Sequence, residues 1–367
     1  MRTTLFLLPL IFFFAVPVWA GNCGAPVDMR APGGSMEVVP VMDQDGFPLC
    51  YSYAAAQMAD AYWKKNHKDQ VEPSFQSSPV GAAVERAAES WFYRTFHDPL
   101  KQGGWTCDMV DQLRDHGACD HAVVTQHVFT SEVKGRLENY RVLHDSYAEL
   151  NSKIDALESE ARNGGYLSSH TAEDEAKSAI ASTACRMASN TPLNQKSIAS
   201  ITQLLEGANA YEFVREAAIP TCSHKGNRRK PPLPKCKSSS HIYSGKSGIQ
   251  KIHALLDQPN PLPIGISYCS KVLEKGRSYQ SSSSRKLLDL LSGSENCGPH
   301  ASLIIGRRTS IRSDGSAVCQ FLIRNTWGTS CWNYSNDWDC EKGNIWVDSD
   351  QMTTSLLGIQ YLEGDSK

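Results

Sequence analysis

Apolar and polar positions fall into three patterns along this chain. From Cys50 to about Lys65 small and apolar residues crowd together. Ala54, Ala55, Ala56, Met58, Ala59 and Ala61 all favour a helix, and Gly46-Phe47-Pro48 breaks the chain just before it. Residues 80–93 and 106–116 carry apolar side chains at helical spacing and predict two more helices. From Val133 the pattern becomes a heptad. Tyr140, Tyr147, Ile154 and Ala161 mark one position, Leu143, Leu150 and Leu157 the other, and Gly164-Gly165 ends the run. Further helices are expected near 172–188 and near 194–217, where Ile198, Ile201, Leu205 and Ala208 share a face. Segment 121–221 therefore reads as a helical insertion, folded back as a hairpin or small bundle.

Beyond Cys222 the pattern changes again. Gly226 to Lys235 is basic and proline-rich, and a helix is expected near 247–257. A polar run follows at Ser281 to Ser284. Ile264-Gly265-Ile266 is apolar, and short apolar runs suited to strands occupy Ala301 to Gly306, Gln320 to Ile323, Asn344 to Val347 and Leu356 to Tyr361. Helices early and strands late make the fold class α+β.

The first residues set the compartment. Arg2, the apolar stretch from Leu5 to Phe14 and the small residues before Gly21 form the layout of a secretory signal peptide over 1–20. The apolar stretch is short for a membrane span, so no stable membrane anchor is expected. The expected organisation is then an extended segment over 21–42, a helical lobe over 43–120, the insertion over 121–221 and a β-rich lobe over 222–367. A formal charge of −2 gives no reason to expect nucleic acid as a partner.

Twelve cysteines in an exported chain read first as disulfides. With one thiol reserved for chemistry an odd number remains, so at least one more is expected to be free or paired outside the chain. Cys107, His116, Cys119 and His121 can be drawn as a metal site, but their spacing fits no zinc pattern; disulfides are expected there, and no cofactor or metal.

Three segments carry candidate chemistry. Cys50 opens the alanine-rich helix, where the positive end of the helix favours a thiolate. Gln44 stands six residues earlier and can offer an amide donor; with the Cys50 amide it would hold a tetrahedral oxyanion. His300, in Cys297-Gly298-Pro299-His300-Ala301, opens an apolar strand that can project it into a cleft. Asn325, in Arg324-Asn325-Thr326-Trp327-Gly328, can accept from the imidazole and fix its tautomer, with Trp327 covering that bond.

Taken together in the order Cys, His, Asn, these segments resemble the papain family of cysteine peptidases over about 43–120 and 222–363. Asn325-Thr326-Trp327-Gly328 is similar to the family's Asn-Ser-Trp-Gly, and Gln44 and Cys50 match its oxyanion-hole glutamine and nucleophile. Gly103-Gly104 resembles the paired glycines along which substrate backbone lies. The resemblance implies a two-lobed papain-like fold, helical on one side and barrel-like on the other. It implies Cys50, His300 and Asn325 as catalytic residues, Gln44 and Cys50 in the oxyanion hole, and Gly103, Gly104, Ser267 and Ala301 along the substrate.

The departures are local. Phe47-Pro48-Leu49-Cys50-Tyr51 replaces the family's Cys-Gly-Ser-Cys-Trp, and the partner of that missing cysteine, near Lys101, is missing too. Pro299 stands where many members have Asp. Only a short segment lies between the signal peptide and Gln44, without room for the family's long inhibitory propeptide.

The function implied is hydrolysis of a protein or peptide substrate through a thioester acyl-enzyme. Two alternatives stay open: an inactive binding module on the same scaffold, and an acyl transferase using the same intermediate. The insertion reads first as a structural appendage and second as a docking arm for a protein partner. Arg228-Arg229-Lys230 reads first as a solvated loop and second as a nicking site, with a Cys222–Cys236 bridge holding the halves together.

Overall fold

A computed structural model describes residues 23–44, 49–89, 104–128, 218, 221–241, 245–279 and 297–363. The expected signal peptide, Gly103, the Ser281–Ser284 run, Cys185 and the heptads all lie outside the described residues. So does the expected insertion, apart from a short helix at its start and isolated residues at its end.

In chain order, β1 (Val27–Asp28) precedes α1 (Cys50–Asn66), α2 (Pro79–Glu89), α3 (Thr106–His116), β2 (Ala118–Cys119) and α4 (His121–Val128). After the gap come β3 (Arg228–Arg229), β4 (Cys236–Ser240), α5 (Gly245–Leu256), β5 (Ile264–Cys269) and α6 (Lys271–Lys275). The chain closes with β6 (Pro299–Ile311), β7 (Ala317–Arg324), β8 (Asp339–Glu341), β9 (Asn344–Asp348), α7 (Ser349–Ser355) and β10 (Leu356–Leu362). The architecture is α+β. One antiparallel sheet runs β4-β10-β5-β6-β7-β9-β8, with β1 paired to β6, and β2 pairs with β3 in a small second sheet.

Helix α1 is buried continuously from Tyr51 to Lys64. It has no strongly amphipathic stripe because it has no solvent side: it packs against α2 and α3 and also against β5 and β6. Its alanines let these elements approach closely. Two of the charged groups taken inside with it have hydrogen-bond partners close by. Asp60 accepts from the Ser77 amide at 3.1 Å and from the Ser77 hydroxyl at 2.6 Å, and Lys64 Nζ donates to the carbonyls of Pro73 and Val38.

The sheet carries the other half of the core. β6 and β7 are buried along most of their length, and their pairing brings Leu303 opposite Arg324. Arg324 is itself buried. Its guanidinium donates to Asn344 Oδ1 at 2.9 Å and to the Val39 carbonyl, so the end of β7 and the N-terminal segment are held to each other.

Five disulfides close the described chain: Cys23–Cys319, Cys107–Cys236, Cys119–Cys222, Cys269–Cys297 and Cys331–Cys340. Such a set forms in an oxidising compartment. Cys107 and Cys119 are thus bridged rather than poised for a metal. The Cys222–Cys236 bridge does not form: Cys222 is bonded to Cys119 and Cys236 to Cys107. Cys119–Cys222 instead joins the two points where segment 121–221 leaves and returns.

The basic stretch also differs from a solvated loop. Arg228 and Arg229 form β3 against β2; Arg228 pairs with Glu85 and Arg229 with Glu72, and Lys230 reaches the Asp115 carbonyl. The acceptors are Glu85 on α2, Glu72 in the loop after α1 and the Asp115 carbonyl on α3. No helix among the described residues is long and apolar enough to cross a membrane.

Candidate active site

Cys50 is half-buried and is the one free cysteine among the described residues. It is the first residue of α1, where the amides of Ser52 and Tyr53 both turn back to the Leu49 carbonyl. No acidic side chain occupies the first turn and no side chain caps the helix, so nothing there neutralises the positive helix end. Burial pushes the Cys50 thiol up. The His300 imidazolium, a hydrogen bond to that ring, and the backbone amides of Ala301 and Tyr51 outweigh burial and hold the thiol below its ordinary value.

His300 is the second residue of β6 and is buried. Its strand end is tied down on both sides: Cys269–Cys297 bridges β5 to the residues just before β6, and the Ser270 amide bonds the Gly298 carbonyl at 3.0 Å. Burial pushes the imidazole down. The Cys50 charge and hydrogen bond, the Asn325 hydrogen bond and the more remote Glu274 carboxylate raise it above its ordinary value. The thiol and the imidazole are displaced in opposite directions by each other, which favours a thiolate–imidazolium pair.

Asn325 follows the last residue of β7. Its Oδ1 lies 2.7 Å from His300 Nε2 and 2.8 Å from the Thr326 amide nitrogen. A backbone amide can only donate, so the atom it meets is the carboxamide oxygen and not the nitrogen. That oxygen in turn requires a proton on His300 Nε2. In the neutral ring Nδ1 is then bare, and it is the nitrogen left to meet Cys50.

Gln44 is buried and reaches the site through the N-terminal segment. Its amide bonds the Thr326 carbonyl at 2.8 Å, Asp43 pairs with Trp327 in an isolated bridge, and the Gly328 amide bonds the Met42 carbonyl at 3.2 Å. Gly328 has a φ of 72°, and a β-carbon there would stand 2.6 Å from the Asp43 carboxylate; the close pairing needs glycine. The Thr326 hydroxyl bonds Gln44 Oε1, which leaves the amino end of that carboxamide on the opposite side.

Trp327 tilts over the His300 ring with centroids 5.2 Å apart, and Tyr268 meets the same ring edge-on at 5.8 Å. Of the expected substrate-binding residues, Gly104 lies beside the nucleophile: a β-carbon on it would come within 2.5 Å of the Tyr51 ring. Ser267 and Ala301 are opposite each other on β5 and β6, and the Ser267 hydroxyl accepts from Gln360 Nε2 at 3.1 Å. Alternation along the strands puts both on the face away from His300 and Tyr268, while the Ala301 backbone amide reaches Cys50.

Three residues at this site were not singled out from the sequence. Ser302 donates to Asn325 Oδ1 at 3.0 Å, Tyr334 accepts from Asn325 Nδ2 at 3.2 Å, and Thr326 holds Gln44. Ser302 sits two positions after His300, on the same strand face, and that spacing was the available signal. Tyr334 lies in a turn-rich stretch with no periodicity to mark it.

No family model and no curated protein matches this chain. Among solved structures it is similar to SERA5E from Plasmodium falciparum, with a TM-score of 0.44 and 11% identity over 91% of this chain and 93% of the other. It is similar also to PepW from Lactobacillus rhamnosis, with a TM-score of 0.45 and 10% identity over 92% of this chain and 81% of that one. Likenesses this distant carry no argument about what the chain does.

Proposed function

We propose that this chain is a secreted papain-like cysteine peptidase that hydrolyses peptide bonds through a thioester at Cys50. The observation that carries the reading is the Cys50–His300–Asn325 arrangement: a free thiol held below its ordinary value by a histidine whose far nitrogen is 2.7 Å from an asparagine oxygen. The Cys50 thiolate attacks the scissile carbonyl, and the negative oxygen is held by the Cys50 amide and the amino group of Gln44. The C–N bond then breaks as His300 Nδ1 gives its proton to the leaving amine. Water enters, His300 takes its proton, and the hydroxide so formed displaces the thiolate from the acyl group.

Asn325 keeps the ring in the tautomer both steps use, and Trp327 keeps water from the His–Asn bond. The peptide backbone would lie between Gly104 and the Ala301 strand. The leader over 1–20 and the five disulfides support export.

The test is turnover of a peptide library, and labelling by a peptidyl epoxide, in the wild-type chain and in Cys50→Ala. Wild-type turnover with one label on Cys50, and loss of both in the variant, is expected. Undiminished cleavage by Cys50→Ala would end the reading.

A further inference from the structure

The carboxamide of Asn325 has two flip states that fill the same space. In one, Oδ1 faces His300; in the other, Nδ2 does. The second state would force the imidazole proton onto Nδ1, against Cys50, where the ring could no longer accept the thiol's proton. The site therefore depends on what decides the flip.

Four neighbours meet this one side chain. Oδ1 takes His300 Nε2 at 2.7 Å, the Thr326 amide at 2.8 Å and the Ser302 hydroxyl at 3.0 Å, while Nδ2 meets the Tyr334 oxygen at 3.2 Å. Ser302 has a single proton, and it is committed to Oδ1. The buried Tyr268 hydroxyl, 3.0 Å from Ser302 Oγ, must then be the donor of that pair. Protons thus run in one sense, from Tyr268 to Ser302 to Asn325.

Tyr334 is held with equal care. It stacks on Trp327 at 5.6 Å with the planes 7° apart, so the order through the site is Tyr334, Trp327, His300, Tyr268. The loop carrying it is closed by Cys331–Cys340. It is also docked on α6, through the Ser335 amide to the Leu273 carbonyl at 2.8 Å and Trp338 Nε1 to the Val272 carbonyl at 3.0 Å.

We propose that Ser302, backed by Tyr268, and Tyr334 are positioning residues that reinforce the Thr326 amide in locking the Asn325 carboxamide from its two ends, and so help to hold the His300 tautomer presented to Cys50. The inference rests on the reading of Cys50 and His300 given above. A flip would set Nδ2 against the Thr326 amide, which can only donate, and the Ser302 and Tyr334 hydroxyls would both have to reverse their roles, turning the Tyr268–Ser302 chain around with them. Each buried hydrogen bond of this kind is worth a few-fold to about tenfold in an equilibrium.

The probe is iodoacetamide, which needs no knowledge of the substrate. Its rate of reaction with Cys50 is followed against pH by mass spectrometry of the Cys50 peptide. The titratable groups around His300 are Cys50 from α1, Tyr268 from β5, Glu274 from α6 and Tyr334 from the loop, with Asp43 acting on Tyr334. Ser302→Ala and Tyr334→Phe, which keeps the ring stack, should each slow alkylation at neutral pH by roughly three- to tenfold and move its midpoint up by up to about one pH unit. Together they should slow it by less than the product of the two, because they hold one group. Ser302→Thr should restore the wild-type profile, and Tyr268→Phe should give a weaker version of the Ser302→Ala effect.

Folded Ser302→Ala and Tyr334→Phe proteins with the wild-type profile overturn the inference and leave the peptidase reading standing. A wild-type Cys50 that alkylates with the profile of an ordinary thiol overturns the peptidase reading itself. If Ser302→Ala fails to fold, Tyr334→Phe, whose change lies in a disulfide-closed loop, decides alone.

Discussion

The hydroxyl of Thr326 is hydrogen-bonded to Oε1 of Gln44, a residue 282 positions earlier in the chain. Neither side chain carries charge, yet the bond fixes which end of the Gln44 carboxamide is available as a donor. Thr326→Val keeps the shape and removes the hydroxyl. It should lower kcat/KM for a peptide substrate by about tenfold, against a hundredfold or more for Gln44→Ala, with KM little changed in both. Thr326→Ser should stay near wild type. Steady-state kinetics on the three variants checks the order; a Thr326→Val enzyme equal to wild type would mean Gln44 is held by its backbone alone.

The thiol and imidazole shifts make a prediction about pH. Cys50 ionises below the ordinary thiol range and His300 holds its proton above the ordinary imidazole range. Reactivity should therefore begin at lower pH than for a free cysteine and extend to higher pH than for a free histidine. In Cys50→Ala the chief raising influence on His300 is gone while burial remains, so its pKa should fall. Titration of the imidazole Cε1 proton by NMR in the wild-type and variant proteins measures the difference directly.

Asp60 gives a stability prediction far from the chemistry. Burial in α1 pushes its carboxyl up to about 6 in spite of the Ser77 hydrogen bonds and the Lys64 charge. The folded chain thus holds this proton to higher pH than the unfolded chain, whose carboxyl titrates near 3.8. As pH rises through that window the unfolded state gains first, so this group's contribution falls between pH 3.8 and about 6 and is constant above it. Asp60→Asn should flatten the urea midpoint over that range. An unchanged slope would place the acid-sensitive group elsewhere.

Cys119–Cys222 spans 103 residues of sequence and ties the base of the segment between them. Its removal frees a long loop in the unfolded state. The double variant Cys119→Ala/Cys222→Ala should lose about 2–5 kcal/mol of stability by denaturant titration. The Cys50 alkylation rate of the folded protein should stay within about twofold, because β2 and β3 lie outside the site.

The elements around the candidate site were legible in the sequence because each is signalled locally. Helix α3 occupies the expected 106–116, α1 begins at Cys50, and the late apolar runs all fall within strands. Periodicity and alanine content act over a few residues, so short windows suffice to read them. The residue types needed for thiol chemistry, Cys50, His300, Asn325 and Gln44, were likewise visible one segment at a time.

The pairings, by contrast, were set by the three-dimensional fold. The sequence held twelve cysteines but nothing to say that Cys222 prefers Cys119 over Cys236, since a disulfide depends on where two backbones meet in space. The ion pairs of Arg228 and Arg229, the reach of Thr326 to Gln44, and the clamp of Ser302 and Tyr334 on Asn325 are of the same kind. Each joins side chains that no local pattern couples. Their hydrogen bonds exist because folding brings donors and acceptors from distant parts of the chain within range of each other.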